Sequence, residues 1–152
     1  VVVHGDADRL GDWARAHLDL LADLEEGWVE ASQGTSLVHA DIRADNLLIG
    51  PGGGVTFVDW PWACAGAPFI DLVFMLPSVG LGGGPSPVEV IERYGVLRTE
   101  DPDAVRATAV ALTGFFQRSA LDPAPSGLPL LRPFQQAQAD VALGWLATMV
   151  GP

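Results

Sequence analysis

The stretch His39-Ala40-Asp41-Ile42-Arg43-Ala44-Asp45-Asn46, followed by the apolar runs Leu47-Leu48-Ile49 and Val55-Thr56-Phe57-Val58 and then by Asp59-Trp60, decides how this chain is read. Gly50-Pro51-Gly52-Gly53-Gly54 separates the two runs, and short β-prone segments joined by glycine-rich chain predict a β-hairpin. A hairpin runs out and back, so Asn46, just before its first strand, and Asp59, just after its second, come side by side. Asp41 sits on the same loop, five residues before Asn46. Two carboxylates and an amide oxygen at one end of a hairpin make a hard-oxygen site suited to Mg2+, whose shell water and phosphate oxygens complete. The glycine run is not itself a phosphate loop: no Lys-Ser/Thr follows it, and the next residues form a strand rather than a helix.

Upstream, Asp6 to Ser32 carry an apolar stripe at three-four spacing through Leu10, Trp13, His17, Leu21, Leu24 and Trp28, which predicts one helix with Asp6 or Asp8 as its N-cap and Gly34 beyond its end. His17 lies on that stripe and reads as a packed histidine. Leu37-Val38 is a short strand-like run. Downstream, Pro68–Leu76 is apolar but for Asp71 and reads as a buried helix, and Pro77–Pro87 reads as loop. Helices are expected at Pro87–Tyr94, from the Asp101-Pro102 start signal to about Leu121, and from Pro133 to Val150. The sum is a mainly α, α+β single domain over 1–152, carrying a small hairpin.

Composition narrows the chemistry. The 152 residues hold 8 basic against 19 acidic side chains, a net charge of −11, which argues against a nucleic-acid partner. All the basic residues are Arg, so no Schiff-base or Walker-type lysine comes from this chain. The single cysteine, Cys64, makes no internal disulfide and no multi-cysteine metal site; it reads as a free structural thiol, and a cytoplasmic setting is expected. The apolar runs are too short or too broken for a bilayer, so no membrane partner is expected. Asp71 is too costly to bury unpaired and is expected to accept backbone hydrogen bonds from the loop at 39–46. Trp60 and Trp62 read more readily as core residues than as nucleotide-stacking ones. Asp45 reads as a turn cap.

The pattern H-x-D-x-x-x-x-N, a hairpin and then an Asp resembles the catalytic loop and metal aspartate of protein-kinase-like enzymes. Asp59-Trp60, in place of the D-F start of the protein-kinase motif, and Ala67-Pro68-Phe69-Ile70-Asp71-Leu72 are similar to the aminoglycoside phosphotransferase and choline kinase-like branch. That branch typically has Gly where this chain has Ala40. The motif-specific part is about residues 37–72, and the flanking helices fit the helical C-terminal lobe of the kinase-like fold.

The resemblance implies ATP, or another nucleoside triphosphate, with Mg2+ as cofactor and a small-molecule hydroxyl as acceptor. Asp41 would be the catalytic carboxylate, Asn46 and Asp59 the cofactor and metal residues, and His39 and Asp71 structural support for the loop. Arg43 would be a cation near the transferred phosphoryl group, though an arginine paired with Asp45 fits as well. The family's N-terminal nucleotide-binding lobe, with its glycine-rich loop and lysine, has no counterpart in this sequence, so the chain reads as a C-terminal lobe or fragment with little turnover alone.

Three functions follow. The first is a small-molecule kinase lobe, and the second a non-catalytic, pseudokinase-like interaction module. The third is a metal-dependent hydrolase using His39 as a ligand with Asp41 and Asp59. Retention of Asp41, Asn46 and Asp59 together favours the first. Aminoglycoside-like, amino-alcohol and sugar acceptors all fit the resemblance. Beyond Leu121 the charged residues are only Asp122, Arg132 and Asp140, which is no dedicated polycation pocket.

Overall fold

A computed structural model describes residues 10–151. The expected capping residues Asp6 and Asp8 lie outside this range. The first helical stretch is three short helices rather than one: α1 (Asp12–Ala16), α2 (Leu18–Glu26) and α3 (Trp28–Ala31). The first break has a local cause. The His17 ring stacks on Trp13 with centroids 4.5 Å apart and places Nδ1 2.9 Å from the Trp13 carbonyl, the acceptor that the helical ladder also uses. The second break is at Gly27, a poor helix former whose backbone nevertheless stays in the right-handed region. The stripe therefore stays nearly in phase, and Trp13, Leu21 and Leu24 still pack against the core.

Two small antiparallel sheets follow. β1 (Ser36–Val38) pairs with β4 (Cys64–Gly66), Ser36 opposite Gly66 and Val38 opposite Cys64. β2 (Leu47–Ile49) and β3 (Val55–Phe57) form the expected hairpin, closed by the Gly50 N–H on the Gly54 carbonyl at 2.8 Å and by Gly53 at φ +78°. β4 carried no sequence signal because Cys-Ala-Gly lacks β-branched and aromatic residues. Its smallness is structural: the chain at Gly34 runs so close to Gly66 that a Cβ on Gly34 would overlap the Gly66 carbonyl.

The core is helical. α4 (Ile70–Leu81), α5 (Pro87–Tyr94), α6 (Pro102–Ala120) and α7 (Leu131–Val150) pack around Ile70, Val73, Leu76, Val110, Trp145 and Leu146. α5 matches its expected bounds, with Ser86 and Glu89 forming a reciprocal capping box. α4 runs one turn past the expected stop. Pro77 is inside it and buried; removing one N–H from the ladder is tolerated where the ring fills core volume. α7 begins at Leu131, which places Pro133 in its first turn, where the missing N–H has no partner to lose. The result is a mainly helical α+β unit with two two-stranded sheets. Among the described residues no helix is long and apolar enough to cross a membrane.

Candidate active site

β1 delivers the chain to His39, a left-handed step at Ala40 (φ +61°) turns it, and a 3₁₀ turn over Ala44–Asn46 leads into β2. The Asp71 carboxylate, in the first turn of α4, fixes the left-handed step. It accepts the His39 N–H at 2.9 Å and the Ala40 N–H at 2.8 Å, so α4 and the loop are joined through two successive amides. The hairpin ladder extends one bond past its strands, from the Val58 N–H to the Asn46 carbonyl at 3.0 Å. Asp59 follows, also left-handed at φ +64°. The hairpin thus returns Asp59 to the end where Asn46 stands.

His39 is buried, 1% exposed. Its Nε2 lies 3.0 Å from the Val58 carbonyl and its Nδ1 accepts the Asp41 N–H at 3.3 Å, so these partners assign the proton to Nε2. The Trp60 ring lies over it, centroids 4.4 Å apart. With both nitrogens committed to backbone, His39 has no lone pair for a metal, which removes the donor that the hydrolase alternative needs. Instead it connects the Asp41 loop to the segment entering Asp59.

Asn46 is 4% exposed. Its Nδ2 donates to the Asp41 carbonyl at 2.8 Å and to Asp41 Oδ2 at 3.2 Å, which leaves the amide oxygen as the group Asn46 has to offer. The Asp59 carboxylate is exposed. An amide oxygen and one carboxylate fit Mg2+, which takes one or two protein carboxylates and fills its shell with water and phosphate oxygens. Among the described residues no cluster of three or more His, Cys, Asp or Glu could hold a metal by itself. A dedicated all-protein cage is not the chemistry this loop offers.

Asp41 is half-buried. Its Oδ1 is 3.2 Å from Arg43 Nη1 while Oδ2 accepts from Asn46. Burial pushes its carboxyl above the usual aspartate range, and the Arg43 charge and the Asn46 hydrogen bond pull it partly back. Arg43 grips Asp45 with Nε to Oδ1 and Nη2 to Oδ2, both at 3.1 Å, and this pairing holds the guanidinium above its ordinary value, with Asp41 and Asp59 adding to it. The same contact holds the Asp45 carboxyl below the usual range. Arg43 also lies over the Phe134 ring, 5.6 Å from its centroid. Asp41, Arg43 and Asn46 are therefore one connected group, and Asp59 joins it through the field of Arg43.

Asp41 and Arg43 open into a cleft of about 890 Å³ walled by α2, α3, α4, α6 and α7. A smaller cavity of about 280 Å³ between α2 and the α6–α7 pair contains no residue of the 39–46 loop. The family model of the phosphotransferase enzyme family matches residues 2–108, well over half of the chain. The chain belongs to this family. No curated protein and no solved structure matches it. The match ends inside α6, so most of the cleft wall of this phosphotransferase, from Ala111 to Gln138, lies beyond the matched residues.

The wall residues were the part that sequence reasoning missed. Phe115, Phe134 and Gln138 gave no signal, Gln138 being one of three glutamines between Gln135 and Gln138 with nothing to set it apart. Trp60 and Trp62 depart from expectation: they are 42% and 69% exposed, and Trp62 lines the cleft instead of the core. Cys64 is a free thiol, and it is exposed. Asp45 pairs with Arg43, the arrangement that the sequence had left open for that arginine.

Proposed function

We propose that the chain is the substrate-carrying, C-terminal lobe of an ATP-dependent phosphotransferase of kinase-like architecture, moving the γ-phosphate to a hydroxyl of a small molecule. The observation that carries this is the Asp41 carboxylate, hydrogen-bonded to Asn46 on one side and opening into a substrate-sized cleft on the other. Asp41 accepts or orients the proton of the attacking hydroxyl, and its raised proton affinity makes it a better base than an ordinary aspartate. Asn46 and Asp59 would hold Mg2+, which supplies charge neutralisation at the phosphates of the nucleotide. Arg43 presents a guanidinium beside Asp41 at the mouth of the cleft, where phosphoryl charge develops. Asp71 and His39 hold the loop and the Asp59 segment in register and touch no substrate.

A nucleotide-binding lobe covering the hairpin belongs to this proposal, and without it the chain turns over slowly, since phosphoryl transfer depends on positioning. Two-stranded sheets are marginal alone, and this hairpin leaves Ile49 77% and Leu48 57% exposed, an apolar surface suited to a cover. The test is a titration of the chain with ATP, with and without Mg2+, followed by NMR. Binding that needs Mg2+ and is lost in Asp59→Asn is expected. Nucleotide binding that is indifferent to Mg2+ and unchanged in Asp59→Asn overturns the enzymatic reading in favour of a non-catalytic module.

A further inference from the structure

Gln138, in the first half of α7, is 1% exposed and lines the cleft, and its amide oxygen has no hydrogen-bond partner. Buried polar atoms are overwhelmingly paired, because leaving one unpaired forfeits its hydration with nothing in return. Its buried neighbours on α7 are Ala139, Ala142, Trp145 and Leu146, so an apolar residue would suit the helix better. The amide is an unanswered hydrogen-bonding group in the wall of the cleft that Asp41 faces.

The rest of the wall says what kind of molecule would answer it. Six aromatic rings line the cleft: Trp28, Trp62, Phe74, Phe115, Phe116 and Phe134. Its charged residues are Glu25 and Asp41 against Arg43 and Arg118, which sum to zero. Arg43 is paired with Asp41 and Asp45, and Arg118 with Asp122. A polycation with several ammonium groups needs carboxylates in excess, and here the chain's excess acid lies elsewhere, with Asp12, Asp19, Asp23 and Glu26 exposed along α1 and α2. A volume of about 890 Å³ admits a molecule of several fused or linked rings.

We propose that the acceptor is an uncharged, predominantly aromatic or alicyclic alcohol with a second polar group, its reactive hydroxyl at Asp41 and the second group hydrogen-bonded to the Gln138 amide. The proposal rests on the assignment of Asp41 as the transfer site. Gln138 then discriminates: an alcohol of the same shape lacking the second group leaves the amide unpaired, the situation in which polar sites reject analogues most strongly.

Three probes read this without nucleotide or Mg2+, by ligand-observed NMR titration of the chain. Tyrosol has a primary hydroxyl and a phenol, 2-phenylethanol lacks the phenol, and kanamycin is a polycation. Saturable tyrosol binding is expected, with 2-phenylethanol about tenfold weaker and kanamycin weaker than both. In Gln138→Leu the tyrosol affinity falls about tenfold to that of 2-phenylethanol, while the unfolding temperature holds or rises because the unpaired oxygen is gone. A merely structural glutamine would give the reverse, a lower unfolding temperature with unchanged affinity, and that overturns the proposal. Kanamycin binding tighter than tyrosol, equal binding of the two alcohols, or no binding by any probe also overturns it. Tyrosol binding as expected in a chain without Mg2+-dependent nucleotide binding refutes the phosphotransferase mechanism alone and leaves the ligand class of the cleft standing.

Discussion

Ala40 holds the left-handed step that turns β1 into the loop at 39–46, at φ +61°, and it does so with a Cβ that crowds this conformation. The resembling enzymes typically place glycine there, and the structure supplies the physical reason for it. Ala40→Gly relieves the strain and loses part of the gain to a more flexible unfolded chain, for a net stabilisation of about 0.5–1 kcal/mol. Thermal unfolding should show it as a rise of about 2 °C; a fall would mean that the Asp71 bonds, not the dihedral, dominate. At Asp41 the sign of the proton linkage is set by burial. The folded chain favours the protonated carboxyl, so this group's stabilisation is complete below the ordinary aspartate value and is lost as pH rises through the raised one. Asp41→Asn should therefore be at least as stable as the parent at neutral pH by denaturant titration, while losing transfer by about a hundredfold or more. Arg43→Gln removes the nearest charge that favours the carboxylate. In the active protein the acid limb of its rate profile should move to higher pH, and an unmoved limb would show that Asp41 is not the titrating base.

Among the elements, α4 has the most consequence for the site, because its first turn carries Asp71 and its body is core. Asp71→Ala strips two backbone N–H groups, His39 and Ala40, of a charged acceptor. Hydrogen bonds to a charged partner contribute about 1.5–3 kcal/mol each, and loop relaxation toward water recovers part of the loss, so a destabilisation of about 3 kcal/mol is expected in urea titration. A loss under 1 kcal/mol would mean that the loop holds its shape without α4. This contact was legible in the sequence because a lone Asp in an apolar helix has few ways to be satisfied. Element boundaries were legible where capping chemistry is local, as at Ser86-Pro87 and Asp101-Pro102. They were not where a tertiary fact decides: Pro77 reads as a stop and becomes core, the His17 ring breaks a stripe that periodicity makes continuous, and Cys-Ala-Gly becomes a strand only because β1 pairs with it.

At the scale of the whole molecule, the candidate site was legible because residues 39–59 are contiguous and a hairpin folds them back on themselves, whereas the cleft draws on side chains from Glu25 to Gln138 and no local pattern announces it. The same scale governs the hairpin. Leu48 and Ile49 are consecutive, hence on opposite faces of β2, and both are exposed, as are Val55 opposite Ile49 and Phe57 opposite Leu47. Neither face of this sheet is packed as a core face, so its apolar residues contribute little to the stability of the chain by itself. Ile49→Glu should accordingly leave the urea midpoint unchanged to within about 0.5 kcal/mol, and reduce any concentration-dependent association seen by sedimentation velocity, because it places a charge on a sticky edge. In a protein where a nucleotide-binding lobe sits on this hairpin, the same substitution should weaken Mg2+-dependent nucleotide binding and leave alcohol binding in the cleft intact. A destabilisation of about 2 kcal/mol in the chain alone would contradict this, since it would place Ile49 in the chain's own core and remove the surface that a covering lobe requires.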